Sequence, residues 1–182
     1  DAMSLVGYNY FHWHLTDDQG WRFAVPGYDR LETISSTRYI YDNNDQKHVH
    51  KGFYSREDLE AIEEFSKKRG ITVIPEMETP GHAEALLSAY PEFGCTGKEI
   101  PVQNNWGVFE NVMNPSSPEL WVFLEKAIAE LASVFHGPFI HIGGDECPHK
   151  QWEDHQGCRK IMEEYGLKDT NELQGWFTSK AS

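Results

Sequence analysis

The chain has 182 residues with 16 Lys+Arg against 29 Asp+Glu, a formal charge of −13, and it is 39% hydrophobic, 13% aromatic and 25% charged. The acidic excess argues against nucleic acid or an anionic membrane as partner, since both need positive surface to displace counterions. The composition is that of a globular chain able to bury a core, and the length suits one domain while falling short of the roughly 250 residues of a complete eight-stranded α/β barrel.

Cys95, Cys147 and Cys158 form no C-x-x-C pair, which argues against a disulfide scaffold or a cysteine zinc site and leaves room for a single disulfide. No run approaches the roughly 18 apolar residues of a membrane helix, and Asp1-Ala2-Met3-Ser4 has no basic segment followed by an apolar one. Opening without an initiator Met and reaching a strand pattern within a few residues, the chain reads as a piece of a longer polypeptide.

Residues 8–15 (YNYFHWHL) predict a buried strand whose alternation puts Tyr8, Tyr10, His12 and His14 on a polar face and Phe11, Trp13 and Leu15 on a greasy one. Residues 17–54 show no sustained period, a long connection of the kind that is usually functional, with a short hairpin around residues 38–41. Ser55 with Asp58 resembles a capping box and opens a helix carrying Leu59, Ile62 and Phe65 that ends at Gly70. The β-branched run at 71–74, closed by Pro75, predicts a second buried strand with Glu76, Glu78 and His82 after it.

Ser117 and Pro118 read as N-cap and first residue of a helix lined by Leu120, Phe123, Leu124, Ala127, Ile128, Leu131 and Phe135, stopped by Gly137-Pro138. Residues 139–142 predict a third strand running into Gly143-Gly144-Asp145-Glu146, and helices follow over 150–165 and 170–180. Strand and helix in alternation indicate parallel strands with crossover helices. Each polar cluster follows a strand's C-terminal end, where α/β barrels and doubly wound sheets alike place their sites. No glycine-rich phosphate loop follows the first strand, which weakens a dinucleotide-binding reading.

Asp145-Glu146 after two glycines is the sharpest chemical feature: glycines permit unusual backbone angles, and neighbouring carboxylates raise one another's pKa and suit acid/base work. The plainer alternative is a helix N-terminus whose dipole favours acidic residues. Adjacent residues cannot form the usual retaining glycosidase pair, whose carboxyls stand about 5 Å apart across the sugar. A 2-acetamido sugar escapes that requirement by supplying its own nucleophile, the carbonyl oxygen of its amide.

The segments FHWHLTDDQGWR (residues 11–22), IPEMETPGHAEA (74–85) and HIGGDE (141–146) resemble glycoside hydrolase family 20, the β-N-acetylhexosaminidases. The resemblance spans nearly the whole chain and is weakest over residues 30–51 and 97–111. It implies that residues 1–182 are one partial catalytic domain, about strands two to four of a TIM (β/α)8 barrel, with no second domain. It implies hydrolysis of terminal β-linked N-acetylglucosamine or N-acetylgalactosamine from glycans or chitooligosaccharides, with retention through an oxazolinium intermediate and with no cofactor. Matched residue by residue, Glu146 is the general acid/base, Asp145 orients the acetamido group and stabilises the intermediate, and Asp17 and His82 form a relay toward the acid/base. Taken alone, His82 reads equally as a helix-capping or satisfied buried histidine. Glu78 stands where the family usually has Asp, so its contact with Asp145 through a longer side chain is a departure.

His12-Trp13-His14 also resembles the start of the metal site of amidohydrolase barrels, with His82 and His141 as spare ligands; the family resemblance explains it as barrel wall, with no metal. Asp18, Gln19, Trp21 and Arg22 read as fixing the loop after the first strand, and Trp106, Trp121, Trp152 and Trp176 as packing. The Arg and the aromatic acetamido pocket that the family draws from other strands have no match here, so a non-catalytic carbohydrate-binding or scaffold piece is a second alternative. The isolated chain is expected to be inactive or nearly so, with its open barrel edges available for self-association. Extracellular, periplasmic and lysosomal settings all accord with the resemblance.

Overall fold

The computed structural model describes residues 1–182. After a one-turn helix α1 (Ala2–Leu5), strand β1 (Tyr10–His14) lies parallel to β6 (Thr72–Glu76), with Tyr10 opposite Thr72 and His14 opposite Glu76. Two small antiparallel pairs interrupt the connection between them: β2 (Thr16–Asp17) with β3 (Gly20–Trp21), and the hairpin β4 (Thr37–Tyr41) with β5 (Lys47–Lys51). The hairpin falls at the expected place, whereas the strand at 8–15 is trimmed to five residues. Its alternation is as expected: Phe11 and Trp13 turn toward the core, while Tyr10, His12 and His14 lie on an exposed face.

Helix α2 (Arg56–Lys67) crosses back over the sheet and starts with a complete capping box. The Ser55 hydroxyl accepts from the Asp58 amide at 3.2 Å and the Asp58 carboxylate accepts from the Ser55 amide at 2.9 Å. Gly70, at φ +68, then lets the chain turn into β6.

The expectation that Pro75 closes this strand is corrected: β6 runs through Pro75 to Glu76. The amides of residues 72 and 76 belong to the edge facing β1, so the Pro75 nitrogen faces the opposite neighbour and β1 loses no hydrogen bond. The cost falls on that neighbour. Residues 139–142 make a single parallel bridge, Glu76 with His141, instead of the third strand expected there. His141 N donates to Pro75 O at 2.9 Å and accepts at its own carbonyl from Met77 N at 3.0 Å, but the next rung would need an N–H from Pro75.

Short helix α3 (Glu84–Ala89) follows β6 and was not anticipated; α4 (Pro118–Val134) has the expected Ser117 cap, bonded to the Leu120 amide at 3.2 Å, and buries Leu120, Phe123, Leu124, Ala127, Leu131 and Val134. The helix expected over 150–165 is two, α5 (Lys150–Asp154) and α6 (Gln156–Tyr165), because His155 is extended between them and its imidazole caps the second. Last comes α7 (Thr170–Ala181), capped by Asp169.

One core of 23 residues joins β3, β6, α2, α3, α4 and α7, with Trp21, Phe23, Val73, Met77, Phe93 and Phe123 at its centre, and a separate cluster of Val112, Trp152, Cys158 and Leu173 packs α5 and α6 against α7. Trp106, expected to pack as well, is exposed instead. Offset and tilted ring contacts bind the centre of the main core, Phe93 on Phe123 at 5.3 Å and Trp21 on Phe123 at 5.5 Å. All three cysteines are free thiols. The greasy face of the sheet is thus spent on packing, and its other face and its C-terminal ends carry the polar side chains.

Candidate active site

Just past the sheet, the segments after β1, after β6 and after the 139–142 strand segment pack together. Thr79, whose peptide with Pro80 is cis, donates through Oγ1 to Ile142 O at 2.8 Å, and a Cβ on Gly81 would stand 3.1 Å from the Cys147 Cα. From the other side, Gln174 of α7 donates to Gly144 O at 2.6 Å and is itself held by His149 at 2.8 Å. The turn that carries Asp145 and Glu146 is therefore fixed from both flanks.

This turn is conformationally unusual. Gly143 and Gly144 have φ of +71° and +115°, and Glu146 follows at +47°; His82 across the cleft is also left-handed at +46°. Left-handed backbone in a non-glycine residue is uncommon and costs free energy that the surrounding contacts must supply, and such residues concentrate at functional sites. The Gly143 position has no room for a side chain, because its Cβ would fall on the Glu78 carboxylate.

His82 is the hub. Its Nδ1 lies 2.9 Å from Asp18 Oδ2 and 3.4 Å from Asp17 Oδ1, while Nε2 faces Asp145 Oδ2 at 3.7 Å and Glu146 Oε2 at 3.6 Å. The last two distances exceed a hydrogen bond and make charge contacts. The imidazole is 11% exposed, whereas Asp145 and Glu146 are 65% and 58% exposed and open to a ligand. Hydrogen bonds to Asp17 and Asp18 outweigh burial and push the His82 pKa up to about 11, so it is an imidazolium at neutral pH. Burial would raise the Asp17 carboxyl, but the bond to His82 and the Asp18 amide at 2.6 Å hold it below its ordinary value.

The four residues Asp17, His82, Asp145 and Glu146 expected to act together thus converge. Asp18, read from sequence as a loop-fixing residue, is nearer to His82 than Asp17, and its other oxygen accepts from the Glu84 amide at 3.1 Å. Glu84 in turn is a buried carboxylate that accepts from the Asn111 side chain at 2.8 Å and the Gln103 side chain at 3.1 Å, organising the long loop before α4. Neither role has a local sequence signal beyond the doubled aspartate.

Glu78 is buried and does not bond Asp145. Its Oε1 faces His14 Nε2 at 3.3 Å, its Oε2 has no partner, and its amide donates to Thr16 Oγ1 at 2.8 Å. Burial first, then the Glu76 and Asp145 charges, raise its carboxyl pKa. Its hydrogen bond to His14, larger than the opposing burial, raises that imidazole in turn. Beneath lies Glu76, with one oxygen 2.6 Å from His12 and the other 2.8 Å from His141. Burial would raise this carboxyl, but Glu78 and the imidazoles of His14, His141 and His12 bring it below its ordinary value. His12, Glu76 and His141 are close enough to hold a metal ion, yet both imidazoles are already spent on the carboxylate.

The family model for the catalytic domain of glycosyl hydrolase family 20 matches residues 1–182. A β-hexosaminidase of Porphyromonas gingivalis is 41% identical over 181 residues, covering 100% of this chain and 23% of that protein. Among solved structures, a β-N-acetylhexosaminidase superposes with a TM-score of 0.95 at 37% identity, covering 100% of this chain and 38% of the other. An exo-β-N-acetylglucosaminidase of Vibrio harveyi in complex with N-acetylglucosamine gives a TM-score of 0.83 at 32% identity, covering 99% and 29%. The chain spans well under half the length of each, and the likeness puts it in the TIM-barrel type of α/β fold.

Proposed function

Because the chain belongs to glycosyl hydrolase family 20, whose catalytic-domain model spans residues 1–182, we propose that the complete protein removes terminal β-linked N-acetylhexosamine from glycans or chitooligosaccharides with retention of configuration. In this reading residues 1–182 are one partial catalytic domain, about strands two to four of a (β/α)8 barrel. The observation that carries it is the adjacency of Asp145 and Glu146, both facing one imidazole nitrogen at 3.7 and 3.6 Å. Two neighbours on one chain cannot stand on opposite sides of a sugar, so the displacement comes from the substrate.

The acetamido carbonyl oxygen attacks the anomeric carbon as the glycosidic oxygen leaves with a proton from Glu146. Asp145 accepts the acetamido N–H, turning the carbonyl toward the anomeric carbon and balancing the positive charge of the oxazolinium. Glu146, now a carboxylate, takes a proton from the water that opens the ring. His82, anchored by Asp18 and Asp17, stands behind both carboxylates as a fixed positive charge. Glu78 occupies the space beside Gly143 where a side chain would stand. The free edge of β1, opposite β6, is where we place self-association of the isolated chain.

The test is an assay of the complete protein on a chromogenic N-acetyl-β-glucosaminide against the matching β-glucoside, with and without chelator. Turnover of the acetamido substrate alone, indifferent to chelation, is expected. Equal turnover of both would remove the substrate-assisted step, and loss on chelation would favour the metal-dependent amidohydrolase reading.

A further inference from the structure

Three thiols from separate segments of the chain share one packing cluster outside the main core. Cys158 lies in it with Val112, Trp152 and Leu173, and Cys95 and Cys147 pack against it. Glycoside hydrolysis uses none of them.

The backbone brings Cys95 and Cys158 to neighbouring residues. Cys95 follows Gly94, which bridges Met113, and Asn114 N donates to Phe93 O at 2.8 Å, so the base of the 95–112 loop is closed. Cys95 Sγ then lies 4.0 Å from Met113 O, a carbonyl already bonded by Trp152 Nε1 at 2.9 Å. Cys158 Sγ lies 3.6 Å from the next side chain, at Asn114 Oδ1. The two thiols are within hydrogen-bonding reach of one another; that contact first, and then burial, pushes the Cys95 pKa well above its ordinary value. Cys147 stands apart: its sulfur is 3.8 Å from Pro148 O, and burial alone pushes its thiol up to about 12. No cluster in the fold able to hold a metal ion includes a cysteine.

Cys158 also has a base beside it. It sits in the first turn of α6, where His155 Nδ1 accepts from the Cys158 amide at 3.4 Å and lies 3.5 Å from the Cys158 sulfur. Accepting there makes Nδ1 the unprotonated ring nitrogen, placed to take the thiol proton. The thiolate is the form that attacks a disulfide sulfur.

We propose that Cys95 and Cys158 form a redox clamp, open as two thiols in this structure and closed to a disulfide by a small-molecule disulfide such as oxidised glutathione. Cys95, the less enclosed sulfur, exchanges first: its thiolate attacks the oxidant, forms a mixed disulfide and releases one small thiol. Cys158 passes its proton to His155, attacks the Cys95 sulfur and expels the second small thiol. Two protein thiols are thereby oxidised, and one small disulfide is reduced to two thiols. Closure ties the 96–112 segment to α6. That segment carries Gln103 and Asn111, whose side chains hold Glu84, and Gln151 Nε2 already donates to Asn111 Oδ1 at 3.0 Å from α5.

The experiment equilibrates the complete protein with excess oxidised glutathione or with dithiothreitol, alkylates the remaining thiols and maps the peptides without reduction. A Cys95–Cys158 linked peptide, two hydrogens lighter than its parts, is expected only in the oxidised sample, with Cys147 alkylated in both. The oxidised protein should melt several degrees higher, a gain lost in Cys158→Ser and kept in Cys147→Ser. Alkylated Cys95 and Cys158 after oxidation, a link from either to Cys147, or a glutathione adduct that persists on Cys95 would overturn the clamp. So would a linked peptide with no change in melting temperature. The map of the unaltered protein decides the pairing even where a variant fails to fold.

Discussion

His82 Nδ1 lies 2.9 Å from Asp18 Oδ2 and 3.4 Å from Asp17 Oδ1, so the second aspartate of the pair makes the shorter bond. Asp18 is 1% exposed and also caps α3 through the Glu84 amide, which ties the orientation of the imidazole to the start of a helix.

The first prediction concerns that imidazole. Asp17→Asn and Asp18→Asn should each lower the His82 pKa from about 11 toward 6.5, read by NMR titration of the ring. Asp18→Ala should also cost about 0.5–2 kcal/mol of stability as a lost helix cap. A ring that titrates unchanged in the double Asn variant would show that the two carboxylates do not govern it.

The same shifts fix the sign of a pH effect. His82 binds its proton more tightly folded than unfolded, so its contribution is complete below 6.5 and is lost as pH rises toward about 11. Asp17, lowered below 3.8, contributes above that value and loses its contribution as pH falls through its folded pKa. The melting-temperature gap between the unaltered protein and His82→Gln should therefore be widest between 3.8 and 6.5 and narrow steadily in alkali. A gap that widens in alkali would contradict it.

For the chemistry, Glu146→Gln in the complete protein should lower kcat on sugar leaving groups by about 10²–10⁴, with far less effect on a fluoride that needs no proton. Asp145→Asn should slow both, since the acetamido group is misoriented whatever departs. Ordinary kinetics in either variant would remove the role assigned to that residue.

Glycines supply a paired test of the turn. Gly143→Ala places a Cβ on the Glu78 carboxylate at φ +71° and should destabilise by about 1–3 kcal/mol, whereas Gly175→Ala in α7 meets nothing within 4 Å and should stabilise by about 0.5–1 kcal/mol. Urea midpoints read both.

What could be read in the sequence was what is local. Ser55 with Asp58 and Ser117 with Pro118 carry their caps within three residues, so α2 and α4 fall where expected. The cap of α3 comes from Asp18, 66 residues earlier, and no window around Glu84 contains it. Pro75 misled because a proline's effect depends on which neighbour its nitrogen faces, a property of the sheet and not of the segment. At the site, three long motifs identified Asp145, Glu146, His82 and Asp17, and the geometry brings them together. Which of two adjacent aspartates turns inward, and that Glu78 faces His14 and fills the space beside Gly143 instead of bonding Asp145, depends on tertiary packing.

Pro75 has a mechanical consequence. The strand segment that delivers Asp145 and Glu146 is joined to β6 by one pair of amide–carbonyl links through His141, while β1 is stitched along five residue pairs. Of the two seams, the one beside the acidic turn should open first, with its backbone hydrogens exchanging with solvent soonest in a hydrogen-exchange measurement. Asp145 and Glu146 thus follow the segment with the fewest backbone links to the sheet, steadied at its tip by Gln174 and Thr79.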